Sequence, residues 1–351
     1  MSHAAAERAR IAYPRAYWYV ACEARTLSRR PIGRTLLGTP LVLFRNEDGA
    51  AVALLDRCAH RNVALSAGCV VDGQIECAYH GWRYDGAGRC RRVPALAAEA
   101  DHKGRSVPAF AAVEQQGYVW VFVDPEQPPP HGPFRFPHLE SAGYASARFA
   151  SQAPATLHAT IENMLDVPHT AFLHRGLFRS GPKRAITAIV RRFADRVEAE
   201  YVGEPRPSGL IGRLLAPRGG TVEHVDRFLL PSIAQVEYRL GESHLVITNA
   251  ATPVDDFETR FVSVASFRLP LPAVLVRAAL TPLARHIFRQ DARILRLQSE
   301  AVRRFGGETY VSTDVDLLGP HVWRLLKQAE QGAVGAECAE PELEKRVELH
   351  V

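Results

Sequence analysis

No uninterrupted run of eighteen apolar residues occurs anywhere in the 351-residue chain, so no membrane-spanning helix is expected. The opening stretch MSHAAAERARIAYPRAYWYV has no apolar core of the secretory kind, and a cytoplasmic setting is the expectation. Long blocks of one charge are missing too. With 43 Lys and Arg against 38 Asp and Glu spread along the chain, the formal charge of +5 describes solvated surface rather than a nucleic-acid-binding face, and leaves an acidic protein donor compatible. There is no internal repeat and no low-complexity tract. Cysteine is sparse, six in all, and only two of the six have a histidine at ligand spacing. What remains is an ordinary globular composition, 47% hydrophobic and long enough for two sizeable cores.

Residues from about 16 to 124 read as short β segments, among them TPLVLFRN, AVALLD, QIECAYH and GYVWVFVD, separated by Gly, Asp and Pro turns. That is the pattern of a small all-β domain. The tract DPEQPPPHGP from Asp124 to Pro133 ends it, because three consecutive prolines cannot continue a ladder, and it reads as a connector. The expected division is therefore 1–125, with a short N-terminal arm, and 126–351. Beyond a mixed region around 150–180 come the strand candidates RAITAIVRRF, RVEAEYVGE, SIAQVEYRL, HLVITNAATP and TRFVSVASFRL. A late helix follows over RHIFRQDARILRLQSEAVRRFG, with apolar residues at Ile287, Ile294, Leu295, Leu297, Ala301, Val302 and Phe305. The fold class is α+β.

Two loops concentrate metal chemistry. Cys58-Ala-His60 and Cys77-Ala-Tyr-His80, the second closed by Gly81-Trp82, are C-x-H and C-x-x-H with sixteen residues between them. Two thiolates for one iron and two imidazoles for the other make the ligand set of a Rieske [2Fe–2S] cluster. Mixed Cys₂His₂ sites are also commonly structural zinc. Zinc modules typically keep cysteines together and histidines together, whereas each loop here carries one of each, which suits a cluster clamped between two loops. Cys22, Cys69, Cys90 and Cys338 lack a ligand-spaced His and read as small buried or exposed thiols. Such a cluster has a raised potential and accepts an electron from a flavin or ferredoxin donor, but does no chemistry on a substrate by itself.

A second constellation lies about eighty residues on, in Ile161-Glu-Asn-Met-Leu-Asp-Val-Pro-His-Thr-Ala-Phe-Leu-His174. Asp166 and His169 would share one face of a helix. His169 and His174, five apart, reach one metal only if the segment bends, and Pro168 supplies a cause: it has no N–H and favours an extended residue before it. One core and one surface histidine would give the same spacing, and the segment alone leaves both readings open.

The flanks DRCAHRNVALSAGC and ECAYHGWRYDGAGRC resemble the cluster loops of ring-hydroxylating and O-demethylating oxygenases. ENMLDVPHTAFLH resembles their mononuclear-iron segment, N-x-x-D-x-x-H-x-x-x-x-H, with Asn163, Asp166, His169 and His174 on the matching positions. With the aromatic entry YPRAYWYVA and the helix FRQDARILRLQ, the resemblance spans nearly the whole chain. It is to the terminal oxygenase (alpha) component of Rieske non-haem iron oxygenases, in the branch of vanillate and dicamba O-demethylases and phthalate-type monooxygenases. The resemblance implies an all-β Rieske [2Fe–2S] domain followed by a catalytic domain of antiparallel sheet and helices, helix-grip-like, holding Fe(II). Two imidazoles and a carboxylate form a facial triad with open positions for oxygen. By resemblance the carboxylate is Asp291, with Gln290 where the family carries an acid and Glu300 as the alternative further along. Asp166 would link His169 to His80 of a neighbouring subunit in a ring-shaped homotrimer, coupling electron and proton movement. Glu162 stands where some dioxygenases carry Asn and receives no role.

The function implied is a monooxygenase that takes electrons from a flavin/ferredoxin-type reductase, with NAD(P)H used only indirectly and O₂ as co-substrate. It would hydroxylate or oxidatively demethylate an aromatic or alicyclic small molecule. Asn249, in TNAATPV, falls on a pocket-lining strand by resemblance, and with Asn163 is a candidate substrate contact. Arg206, Arg213 and Arg218 in EPRPSGLIGRLLAPRGG could instead meet an anionic substrate. The competing functions are a cis-dihydroxylating dioxygenase and a Rieske electron carrier without oxygenase activity. A carrier would need only about the first 125 residues. Neither a nucleic acid nor a membrane is an expected partner.

Overall fold

Thr39–Arg45 and Ala51–Leu55 carry apolar runs between Gly and Asp turns, and both are strands in the computed structural model, which describes residues 12–94, 96, 104–175, 177, 185–204, 222–333 and 340–350. They lie in the first of two compact units, Arg15–Arg135 with Thr252–Asp255; the second holds Phe136–Ala251 and the chain from Asp256 on. The first unit is built from strands and two short 3-10 turns. One sheet joins Trp18–Glu23, Tyr118–Phe122 and Ala112–Gln115, a second Ile32–Leu36, Thr39–Arg45, Ala51–Leu55 and Ala109–Phe110, and a third Cys69–Val71, Gln74–Glu76, Arg83–Tyr84 and Cys90–Arg92. Phe44, Leu54, Ile75 and Tyr84 share one core, and Cys58 and Cys77 are part of it. The segment QIECAYH does not stay extended as its composition suggests: the strand stops at Glu76. Gly81 takes a left-handed φ of 68° and its N–H closes on the Cys77 carbonyl at 3.0 Å, folding Cys77–His80 into a turn.

The second unit is an eight-stranded antiparallel sheet. Its middle six strands form a meander, Ala185–Arg192, Arg196–Val202, Glu223–Leu229, Ile233–Leu240, Ser243–Asp255 and Glu258–Arg268, with edges Leu343–His350 and Ala145–Ala153. The central strand Glu223–Leu229 and both edges escaped the sequence reading, because His224 and Asp226 occupy its inward positions where apolar residues mark other strands. Ala188, Val190, Val197, Ala199 and Phe228 from the sheet pack in one core with Ile161 and Leu165 of the helix Leu157–Leu165 and Val322, Leu325 and Leu326 of Gly319–Glu330. Each fully buried Leu, Val or Phe contributes about 1.5–3 kcal/mol.

The late helix is longer than its apolar stripe predicts, running Ala273–Phe305 through Pro282 and ending at Gly306, φ 85°. Of the stripe only Leu295 is buried, while Ile294, Leu297, Ala301 and Phe305 are exposed. No helix among the described residues is long and apolar enough to cross a membrane.

Thr156 caps Leu157–Leu165, its hydroxyl accepting the Ala159 N–H at 3.1 Å. Asp166 is already extended, φ −81° and ψ 107°, so Asp166 and His169 do not share a helical face as their spacing suggested. The chain restarts as a single turn, Thr170–Leu173, beyond Pro168. That break is the bend the two histidines required.

Candidate metal centres and a cavity

The two Cys/His loops are built alike. Cys58 donates its N–H to the Val63 carbonyl at 2.9 Å and accepts from Asn62 N–H at 3.0 Å; Cys77 donates to Trp82 at 2.8 Å and accepts from Gly81 at 3.0 Å. In both loops the residue four after the cysteine is left-handed, Asn62 at φ 61° and Gly81 at φ 68°, and these are residue types that tolerate that region. A β-branched residue at either position should cost about 1–2 kcal/mol. Accordingly, Gly81→Val is expected to lower the melting point of the first unit, read by calorimetry.

The folded loops place like donors together. The His60 and His80 rings lie 4.5 Å apart, and His60 stacks on Trp82 at 4.7 Å with planes 2° apart. Cys58 and Cys77 are buried neighbours; burial, then the contact with Cys58, holds the Cys77 thiol above its ordinary value. Desolvation, with His80 and Arg61 adding to it, holds His60 low, and His60 Nδ1 is buried with no hydrogen-bond partner. A zinc ion would draw four donors within about 4 Å of one another. Among the described residues, the three or more His, Cys, Asp or Glu donors that all lie within 4.8 Å of each other are elsewhere. Paired thiols beside paired imidazoles fit a two-iron cluster. Tyr84, which the sequence reading passed over, accepts the Ala59 N–H at 3.2 Å, and its hydroxyl lies 3.2 Å from Cys58 Sγ, where it would donate to that sulfur as a thiolate. Burial, with Cys58 adding to it, keeps that phenol protonated.

The converging group is His169, His174 and Asp291. His169 Nε2 and His174 Nε2 are 3.3 Å apart, and Asp291 Oδ1 lies 3.0 Å from His174 Nε2 and 3.8 Å from His169 Nε2. The carboxylate oxygen is buried yet makes no well-formed hydrogen bond. Two imidazole nitrogens and an unsatisfied carboxylate aimed at one point suit a cation. Burial opposes protonation of His174, but Asp291 and Gln290 outweigh it and the net shift is upward. His169 Nδ1 bonds the Asp166 backbone carbonyl, with Asp166 Oδ2 3.4 Å from the same nitrogen. Glu300 is exposed and outside this group.

A cavity of about 220 Å³ opens on these three residues, walled mainly by Phe149, Val236, Ile247, Phe261, Leu283 and Phe288. Asn163 and Asn249 also line it; Asn249 is 5% exposed and its Oδ1 has no hydrogen-bond partner. A second, more open cavity is lined by Glu162, Asn163, Asp166 and His169, so Asp166 lies on the wall of both. Burial, with nearby carboxylates adding to it, pushes the Glu162 carboxyl up. Arg206, Arg213, Arg218 and Cys338 lie outside the described residues; Cys22 and Cys90 are buried thiols and Cys69 an exposed one.

The sheet adds a buried ion cluster to the cavity wall that no spacing announced. Register sets Tyr201 opposite His224 and His224 opposite Tyr238, so the imidazole is stacked between two rings at 4.4 and 4.2 Å. Its Nε2 donates to Asp226 Oδ1 at 2.9 Å and its Nδ1 to Glu204 Oε2. Burial opposes the charge, but Asp226 and Glu204 outweigh it and hold His224 up at about 9. The stability this contributes is fully present below the ordinary pKa of about 6.5 and is lost as pH rises through about 9, a difference on the order of 3 kcal/mol. The melting point should therefore fall between pH 7 and 9.5, and His224→Gln should flatten that slope.

Comparison with known proteins finds a family match in each unit. The model of the Rieske [2Fe-2S] domain matches residues 17–111 and that of the vanillate O-demethylase oxygenase C-terminal domain residues 153–332. The oxygenase component of dicamba O-demethylase from Stenotrophomonas maltophilia is 30% identical over 294 residues, 83% of this chain and 76% of the relative. Methylxanthine N1-demethylase from Pseudomonas putida is 32% identical over 258 residues, 71% of each chain. The crystal structure of dicamba monooxygenase bound to 3,6-dichlorosalicylic acid has the same fold, with a TM-score of 0.79 at 23% identity, over 93% of this chain and 100% of that one. Family models over both units and a relative matched over most of its length show that the chain is the oxygenase component of a Rieske non-haem iron monooxygenase, in the family with the vanillate O-demethylase C-terminal domain.

Proposed function

We propose that Cys58, His60, Cys77 and His80 hold the [2Fe–2S] cluster, that His169, His174 and Asp291 hold the mononuclear Fe(II), and that the enzyme oxidatively demethylates or hydroxylates a single-ring aromatic or alicyclic compound. When bound, these groups supply one-electron storage and oxygen activation, with O₂ as co-substrate. The protein's own residues do the rest. The apolar wall binds the ring and keeps water from the reacting carbon; since an apolar cavity of about 150 Å³ accommodates benzene, the volume here suits one substituted ring. Asn249 offers its unpartnered Oδ1 to a substrate donor, and Asn163 contributes at the same wall. Asp166 holds His169 and, from its open side, accepts from His80 of a neighbouring subunit in a homotrimer, a reading supported by the exposure of His80 and the place of Asp166 on two cavities. Electrons reach the enzyme from NAD(P)H through a separate flavin/ferredoxin-type reductase in the cytoplasm, with no nucleic-acid or membrane partner.

The single observation that carries this reading is the opening of the His169/His174/Asp291 group into an apolar cavity. The test uses holoenzyme, a reductase and a panel of methoxylated and methylated rings under labelled O₂. Hydroxylation should place one labelled atom in the product, and demethylation should release formaldehyde. A cis-diol carrying two labelled atoms would replace this reading with dihydroxylation.

Tyr84→Phe gives a quieter check on the cluster assignment. A hydrogen bond to a charged group contributes about 1.5–3 kcal/mol, and it favours the more negative, reduced state. At about 59 mV per factor of ten for one electron, its loss should lower the midpoint potential by at most about 60–130 mV, the ceiling set by a bond made only in the reduced state, read by voltammetry.

A further inference from the structure

Two consecutive residues of one helix grip both nitrogens of a single imidazole. Gln290 Oε1 lies 2.7 Å from His174 Nδ1, and Asp291 Oδ1 lies 3.0 Å from His174 Nε2. Helix neighbours diverge by about 100°, which lets Gln290 and Asp291 address different edges of the ring. A side-chain carbonyl only accepts, so this contact puts the neutral ring's proton on Nδ1 and leaves the Nε2 lone pair beside Asp291 and His169. The opposite amide orientation would donate to Nδ1 and leave the proton on Nε2, where it blocks ligation. His169 is oriented by different means, through the Asp166 backbone carbonyl and carboxylate.

We propose that Gln290 is a positioning residue for the mononuclear iron: its side-chain carbonyl selects the His174 tautomer whose Nε2 can ligate, while adding no second negative charge beside Asp291. This rests on the assignment of His174 as a ligand. Because the amide can turn either way and a carboxylate can only accept, an acidic replacement keeps the function and an apolar one removes it.

The experiment measures Fe(II) affinity by chelator competition on cluster-loaded protein, so no turnover is needed. Gln290→Met, similar in length but without an oxygen, should bind iron ten- to a hundredfold more weakly. Gln290→Glu should bind at least as tightly as the parent. Gln290→Asn, whose carbonyl falls one methylene short, should resemble Gln290→Met and serves if that variant misfolds. Melting points without mononuclear iron should coincide, which a merely structural role would not give. Parent-like affinity in Gln290→Met, or equal losses in the Met and Glu variants, overturns the inference. His174→Ala separates the two readings. If it loses iron while Gln290→Met does not, only the role of Gln290 falls; if it keeps iron, the ligand assignment falls with it.

Discussion

Asp291→Ala is expected to yield a folded protein with an unchanged Rieske spectrum, roughly two iron atoms per chain, and no measurable turnover. Asp291 is the only member of the converging group that brings a charge, and its Oδ1 lies 3.0 and 3.8 Å from the two imidazole nitrogens. Without it, two neutral histidines face a divalent ion. Loss of an outer hydrogen-bonding partner alone typically costs ten- to a hundredfold in metal affinity, so loss of the anionic ligand should exceed that. Asp291→Asn should fall between, since an amide oxygen donates weakly and carries no charge. Iron and acid-labile sulfide per chain read the outcome directly. Full occupancy with normal turnover in the alanine variant would refute the assignment, and Glu300, exposed and outside the converging group, would be tested next.

The four residues proposed to hold the cluster stand out in the sequence because each pair is local. Cys58 with His60 and Cys77 with His80 each occupy one turn, and the left-handed residues that close those turns, Asn62 and Gly81, are written beside them. His169 and His174 were legible for the same reason, with Pro168 marking the break between them. Asp291 is far away in sequence, and only the resemblance and the need for a carboxylate pointed to it. Contacts that depend on register stayed hidden. Tyr84 reaches Cys58 because a hairpin folds back under the first loop, and His224 meets Tyr201 and Tyr238 because three strands align in one row. Periodicity also misled in two places. QIECAYH has the composition of a strand but spends its second half in a turn, and the stripe on the long helix buries Leu295 while leaving Phe305 exposed. In each case the competing effect is tertiary: a turn closed by hydrogen bonds in one, a helix that touches its sheet along a narrow line in the other.

The proposed Asp166 bridge makes a sharper demand, because it ties the two metal sites to one electron path. Asp166→Asn should keep both metals and the oligomer, since Asn is nearly isosteric and the Asp166 backbone carbonyl, which also holds His169 Nδ1, is untouched. What it removes is the charge and one acceptor: a single amide cannot accept from two imidazole N–H groups as a carboxylate does. With the carboxylate at 3.4 Å from His169 Nδ1 and its other side open, the variant should hold iron normally while single-turnover oxidation of the reduced cluster, under O₂ and substrate, slows by orders of magnitude. Stopped-flow absorbance of the cluster follows that rate without steady-state assays. If the carboxylate works across a subunit boundary, an Asp166→Asn chain and a His80→Ala chain should complement each other in mixed oligomers. At one type of interface an intact His80 from the first meets an intact Asp166 and mononuclear site from the second, and a fraction of the parent activity should return. Verified mixed oligomers that stay inactive would confine the electron path to a single chain, and Asp166 would be left with the lesser task of orienting His169.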